Sequence, residues 1–229
     1  MGQFIQLTSA DGFTFPAYVA QPDGKAKAAV VVLQEIFGVN SHIRDVTDRF
    51  AAQGYLAIAP ATFERVKTGV DLGYNEATIQ EGIALKAAVM ALPGEGVLPD
   101  IQAAVDYAAK TSGGKVGMVG FCWGGLLTWQ AACALEGLSA AVPYYGGGMV
   151  ADSEVARQPK VPVLVHFSDR DHSVPMDGVT AFIKAHPDVA THIYAAEHGF
   201  NCDQRGAFIE DAAKLARQRT LAFFAEQLA

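Results

Sequence analysis

The sequence has 229 residues, of which 51% are hydrophobic and 18% are charged. This length and composition allow a large buried core and predict one globular domain, residues 1–229, rather than a disordered chain. The formal net charge of −7 and the lack of any run of Lys or Arg argue against nucleic acid and anionic membranes as partners.

The predicted elements begin with a hairpin, because the segments FIQLTS and FTFPAYVA flank an Ala-Asp-Gly turn. The run AAVVVLQ (28–34) is rich in β-branched residues, which is typical of a strand buried on both faces. An amphipathic helix over 41–54 and a second buried strand over 55–60 follow.

The rest of the chain alternates helices with strands. The helices are predicted over 76–92, 100–110, 124–135, 176–186 and 205–229, and the strands over 115–120, 139–146, 162–168 and 190–195. This alternation predicts the α/β class, with a mostly parallel sheet covered by helices on both faces. Ligands of such sheets bind beyond the carboxyl ends of the strands, so the loops that leave the strands are where function is expected.

The segment GFCWGG (120–125) connects a predicted strand to a predicted helix and fits the pattern G-x-C-x-G. This is a cysteine version of the nucleophile elbow, a sharp turn that presents a nucleophile above the sheet. Gly120 and Gly124 lack side chains where the turn is crowded, and the following helix N-terminus favours a thiolate at Cys122. The alternative interpretation is a structural turn with a buried cysteine.

Two later strand ends supply possible partners for Cys122. The segment SDRDHSVP (168–175) contains D-x-x-V-P, in which Asp171 is the candidate acid, and EHGFN (197–201) offers His198 as the base. The chain order Cys122, Asp171, His198 is the nucleophile–acid–histidine order of the α/β-hydrolase fold. The Asp171 carboxylate would hold the imidazole in the tautomer that accepts the thiol proton.

Other residues are weaker candidates. Asp169 is a rival acid, although the D-x-x-V-P spacing favours Asp171, and His166 within a strand is interpreted as a core residue. Three more histidines are interpreted as surface or helix-end residues: His42, His186 and His192. His198 and Cys202 have a spacing that could bind a metal on a helix, but two ligands do not make a zinc site, and no metal is expected.

The cysteines are Cys122, Cys133 and Cys202. An odd, small set without an N-terminal export signal indicates free thiols in a reducing compartment, so a cytoplasmic location is expected. Cys133 lies in an apolar helix and is interpreted as a core residue. No apolar run reaches the roughly 18 residues of a membrane span.

Taken together, the sequence resembles the dienelactone hydrolase family over nearly its whole length. The most specific segments are QEIFGVN (34–40), KVGMVGFCWGG (115–125), DHSVP (171–175) and HGF (198–200). The resemblance implies an α/β-hydrolase fold and a cysteine-dependent hydrolase of small carboxylic esters or lactones that acts through a thioester. It implies no metal or organic cofactor, and we expect a monomer. The alternatives are an esterase or peptidase of the same fold and a non-catalytic binding protein.

The resemblance also implies roles for residues of the early loop. Glu35 matches a glutamate that in the family interacts with the cysteine thiol and helps to activate it, whereas its alternative role is to stabilise the loop. The backbone amides of Ile36 and Trp123 match the oxyanion hole. This agrees with the rule that one amide follows the nucleophile and the other follows an early strand.

The sequence departs from the family where the substrate is held. Family members bind the substrate's carboxylate with two arginines, and counting without gaps places these positions on Gly82 and Cys202. Lys86, one helical turn beyond Gly82, and Arg205, shortly after Cys202, are candidates for a substitute clamp, and Arg65 is a further possibility. The departure predicts weak activity on dienelactone itself and better activity on neutral small esters or lactones.

Overall fold

The computed structural model describes residues 2–229 and contains one eight-stranded sheet. The strands are β1 (Gln3–Thr8), β2 (Thr14–Ala20), β3 (Ala28–Leu33), β4 (Tyr55–Pro60), β5 (Val116–Phe121), β6 (Leu138–Tyr144), β7 (Leu164–Ser168) and β8 (Ala190–Tyr194). Their order is β1-β2-β4-β3-β5-β6-β7-β8, in which β2 is antiparallel to both of its neighbours and the others run parallel. The predicted hairpin and mostly parallel sheet are confirmed.

Helices cover both faces of this sheet, as the alternating pattern predicted. They are α1 (Ser41–Ala52), α2 (Glu76–Met90), α3 (Leu98–Ser112), α4 (Trp123–Ala134), α5 (Asp152–Val155), α6 (Met176–Ala185) and α7 (Glu210–Gln227). Within residues 2–229, no helix combines the length and apolar character that crossing a membrane requires.

Strand β3 shows how the two cores are built. Its residues are all buried, and alternate side chains point to opposite faces. Val31 packs into a core formed with α2, α3, α4 and α6, whereas Val30 packs into a second core formed with α1 and α7. A continuous apolar run in the sequence therefore corresponds to a strand that lies between two helical layers.

Three helix starts differ from the sequence prediction, and that of α4 differs by a single residue, at Trp123. Helix α3 begins at Leu98 because Pro99 is accommodated in the first turn, where a missing N–H costs no hydrogen bond. Helix α7 begins at Glu210 and not at residue 205. Residues 205–208 form a turn closed by the Phe208 N–H, which donates to the Arg205 carbonyl, and the extended Ile209 donates its amide N–H to the Phe200 carbonyl.

The parallel strands place four loops at one edge of the sheet. These loops leave β3, β5, β7 and β8 at their carboxyl ends and carry Glu35, Cys122, Asp171 and His198, the candidate catalytic residues.

Candidate active site

Cys122 occupies a strained turn between β5 and α4. Its φ of 56° is unusual for a residue with a side chain, and it is the N-cap of α4. A Cβ on Gly120 would lie 2.1 Å from the Gly124 carbonyl oxygen, and one on Gly124 would lie 2.4 Å from the Gln34 carbonyl oxygen. Neither glycine can carry a side chain, which is the crowding that the G-x-C-x-G pattern predicted.

Asp171 and His198 form a close pair at the ends of two neighbouring strands. Asp171 Oδ2 lies 2.8 Å from His198 Nδ1, and Asp171 Oδ1 accepts the Ser173 N–H at 2.7 Å. The Asp171 side chain is fully buried, so this pair is shielded from water. An ionised carboxylate can only accept, so Nδ1 carries the proton and Nε2 is left as the base.

Asp169, the rival acid, lies elsewhere. Its side chain is exposed, and its Oδ1 accepts the Ala196 N–H at 3.2 Å. It fixes the loop that follows β8 and makes no hydrogen bond to His198 within residues 2–229.

Cys122 and His198 line the same cavity of about 280 Å³. Burial lowers the pKa of His198, but the nearby Cys122 sulfur and the hydrogen bond to Asp171 outweigh it and raise the pKa to about 10. The charged form of the imidazole is therefore favoured beside the sulfur. The cavity is lined by Ile36, Phe37, Ile79, Ile83, Lys86, Cys122, Gly147, Gly148, Ser173, His198 and Arg205.

Of the two residues predicted to supply the oxyanion amides, Ile36 lines the cavity that contains Cys122, and Trp123 directly follows Cys122 in the chain. Trp123 is the first residue of α4, where backbone N–H groups have no partner in the helix. The Ile36 N–H follows β3 and makes no hydrogen bond within the described residues 2–229. The Trp123 side chain is buried against Phe63, with ring centroids 4.8 Å apart, so only its backbone can serve the cavity.

Glu35 is buried beneath the cavity and is held by two side chains. Its Oε1 lies 3.1 Å from Arg205 Nη1, and its Oε2 accepts the Tyr74 O–H at 3.2 Å. Burial and the Glu35 charge raise the pKa of Tyr74, so its hydroxyl stays a donor. Within residues 2–229 Glu35 makes no hydrogen bond to Cys122, and its contact with the thiol stays a prediction.

Comparison with known proteins decides the family. The sequence profile of the dienelactone hydrolase family matches residues 15–228. The chain belongs to the dienelactone hydrolase family. It is therefore a hydrolase of the dienelactone hydrolase type with the α/β-hydrolase fold, as the sequence predicted.

Individual family members align over nearly the whole chain. A carboxymethylenebutenolidase of Pseudomonas putida is 35% identical and covers 96% of this chain and 95% of its own. A "putative carboxymethylenebutenolidase" of Salmonella typhi is 36% identical, covering 97% and 86%. The crystal structure of a "putative dienelactone hydrolase" from Klebsiella pneumoniae superposes with a TM-score of 0.83 at 32% identity and covers 98% of both chains.

Gly82 and Cys202, the positions predicted to correspond to the family's arginine clamp, do not line the cavity that contains Cys122. A Cβ on Gly82 would lie 2.3 Å from the Ile36 carbonyl oxygen, so α2 approaches the loop after β3 too closely for an arginine there. Cys202 is fully buried behind the cavity. Lys86 and Arg205 both line the cavity, as a substitute clamp requires.

Arg65, the further possibility for the clamp, is held elsewhere. Its Nη2 lies 2.6 Å from Asp100 Oδ1, and its Nη1 lies 2.8 Å from Asp11 Oδ2. It does not line the cavity that contains Cys122.

Sequence reasoning missed two tyrosines of this dienelactone hydrolase site. Tyr74 lies in a segment without a predicted helix or strand, yet its hydroxyl donates a hydrogen bond to Glu35. Tyr145 was assigned to a strand, but β6 ends at Tyr144 and Tyr145 has a φ of 36°. Its ring packs edge-to-face on His198, with centroids 5.2 Å apart. No local pattern marks either residue, because both act through contacts distant in the sequence.

Proposed function

We propose that this enzyme cleaves small carboxylic esters or lactones through a thioester on Cys122. The observation that carries the proposal is that Cys122 and His198 line one cavity, while the buried Asp171 is hydrogen-bonded to His198 at 2.8 Å. We further propose a monomeric, cytoplasmic enzyme, since its three cysteines are free thiols that a reducing compartment would preserve.

The first half of the reaction forms the acyl-enzyme. The Cys122 sulfur attacks the acyl carbon, while His198 Nε2 holds the thiol proton. The carbonyl oxygen becomes an oxyanion between the backbone amides of Ile36 and Trp123. The carbon–oxygen bond of the ester then breaks, and His198 gives the proton to the departing alkoxide. In a lactone, this alkoxide stays attached to the acyl chain.

The second half returns the enzyme to its starting state. Water attacks the thioester as His198 Nε2 accepts one of its protons, and the carbon–sulfur bond breaks to release the acid. Asp171 holds His198 in one tautomer and stabilises the imidazolium in both halves. This cycle uses no metal or organic cofactor.

The charges in the cavity give a weaker carboxylate clamp than a pair of arginines would. Arg205 is already paired with Glu35, so its charge is largely balanced. Lys86 has no ion pair within residues 2–229 and is left as the cation for a substrate carboxylate. A lysine binds a carboxylate as a point charge, without the two parallel hydrogen bonds that arginine makes.

The test is a screen of small lactones, alkyl esters and aryl acetates with the wild type and with Cys122→Ala. We expect turnover by the wild type and a loss on the order of a thousandfold or more in the variant. Cys133→Ala is the matched control, because Cys133 is a partly buried thiol of α4 outside the cavity. Equal losses in both variants would exclude Cys122 as the nucleophile.

A further inference from the structure

A second cluster of reactive side chains lies behind Glu35. Glu35, His42 and Cys202 each place a ligand atom within 4.8 Å of the others, and all three residues are buried. They come from the loop after β3, the first turn of α1 and the turns before α7. The proposed hydrolysis uses neither His42 nor Cys202. The sequence suggested a weak metal pair of His198 with Cys202, whereas the fold brings Cys202 to His42 instead.

The two ring nitrogens of His42 differ in whether they have a hydrogen-bond partner. Its Nδ1 lies 3.2 Å from Asp203 Oδ1, whereas its Nε2 is buried and has no hydrogen-bond partner within residues 2–229. With the proton on Nδ1, Nε2 is an acceptor. The Glu35 carboxylate nearby is an acceptor too, so it cannot satisfy Nε2 in this tautomer, whereas a cation bound to both groups would.

We propose that Glu35, His42 and Cys202 form a binding site for a divalent transition metal of the zinc type. Carboxylate, imidazole and thiolate are all zinc ligands, with bonds of about 2.0–2.3 Å. The thiolate makes calcium and magnesium poor candidates, because these ions prefer oxygen ligands. Asp203 supplies the carboxylate that orients a ligating histidine through its other nitrogen.

The charges of the cluster fit such an ion. A carboxylate and a thiolate together balance a divalent cation, and the imidazole adds no charge. The metal would take the place of the Arg205 guanidinium on the Glu35 carboxylate. Arg205 also lines the active-site cavity, so its movement would open a path from that cavity to the cluster. Tyr74, which donates to Glu35 Oε2, is close enough to support a fourth ligand such as water.

The test measures metal binding in a Cys122→Ala background, where the catalytic thiol cannot compete as a ligand. Co²⁺ serves as the spectroscopic probe and Zn²⁺ as the competitor. We expect one equivalent of Co²⁺, a thiolate-to-cobalt charge-transfer band, and displacement by Zn²⁺. Because the readout is binding in an inactivated protein, it succeeds or fails independently of the proposed hydrolysis.

Variants in the same background locate the ion. Adding Cys202→Ser or His42→Gln should weaken binding by about a hundredfold or more, and Asp203→Asn by about tenfold to a hundredfold. Cys133→Ser is the control and should bind as the parent does. Zn²⁺ should also raise the Tm of the parent and not that of the Cys202→Ser variant. If Cys202→Ser does not fold, Cys202→Ala replaces it. A spectrum without the charge-transfer band, or equal binding by the Cys202 variant, would overturn the proposal.

Discussion

Arg205 Nη1 lies 3.1 Å from Glu35 Oε1, so a guanidinium group that lines the active-site cavity is paired with a buried carboxylate. Burial lowers the pKa of Arg205, but the charges of Glu35 and of the Cys122 sulfur outweigh it and raise the pKa. The pKa of Arg205 therefore depends on both the Glu35 carboxylate and the Cys122 sulfur. This relationship links Glu35 to Cys122 without a direct hydrogen bond between them.

The first prediction concerns Glu35→Gln. Removing the carboxylate leaves the charge of Arg205 unbalanced near Cys122, which favours the thiolate, so iodoacetamide should label Cys122 faster, on the order of threefold to tenfold. Labelling will report Cys122 selectively, because burial raises the pKa of both Cys133 and Cys202 to about 12. Unchanged labelling together with unchanged turnover would reduce Glu35 to a loop-stabilising residue.

The second prediction separates the two acids of the loop after β7. Asp171→Asn should lower kcat by on the order of a thousandfold or more, because the amide cannot hold the required tautomer of His198. Asp169→Asn should have a far smaller effect, since Asp169 is exposed and only accepts the Ala196 N–H. The measurement is kcat of both variants on one ester. A larger loss of kcat from Asp169→Asn would make Asp169, and not Asp171, the acid that orients His198.

The third prediction concerns pH. The pKa of His198 is about 10 in the folded protein, above its ordinary value of 6.5, so protonation of His198 stabilises the fold. This contribution is fully present below about pH 6.5 and is lost as the pH rises towards 10. The difference in Tm between the wild type and His198→Gln should therefore shrink between those pH values.

The matched control for this pH series is His172→Gln, since His172 is an exposed neighbour of Asp171. An NMR titration gives a second measure. In Cys122→Ala the pKa of His198 should fall, because the sulfur that helps to raise it is gone. A Tm difference that stays constant with pH would contradict the prediction. So would a pKa of His198 that is the same in Cys122→Ala as in the wild type.

The fourth prediction concerns substrate charge. Losing one charge-assisted contact costs about 1.5–3 kcal/mol, or roughly tenfold to a hundredfold in binding. We therefore expect kcat/KM for dienelactone to be low relative to a neutral lactone of similar size. Lys86→Met should lower activity on dienelactone further and leave the neutral lactone much less affected. A strong preference for dienelactone in the wild type would show that Lys86 and Arg205 rebuild the arginine clamp.

Much of the fold and of the candidate site follows from local sequence. Cys122, Asp171 and His198 could be placed because each lies in a short motif directly after a buried strand, and parallel strands end at one edge. His42 lies at a helix end, as predicted, but its complete burial and its contact with Asp203 involve residues far away in the chain, which no local pattern shows. The predicted start of α7 was wrong because the apolar spacing continues through residues 205–209, where a local turn and the hydrogen bond from the Ile209 N–H to the Phe200 carbonyl replace the first helical turns.

The close approach of α2 to the Ile36 carbonyl limits how the substrate range of this enzyme could be redesigned. A single Gly82→Arg exchange is not expected to create carboxylate selectivity, because the helix must first move away from the loop that carries the proposed oxyanion amide of Ile36. Such a shift would alter the surroundings of the Ile36 backbone and so impair the reaction itself. An engineer seeking an anion-selective variant should therefore start at position 86, one turn further along the same helix, where the side chain already reaches the cavity.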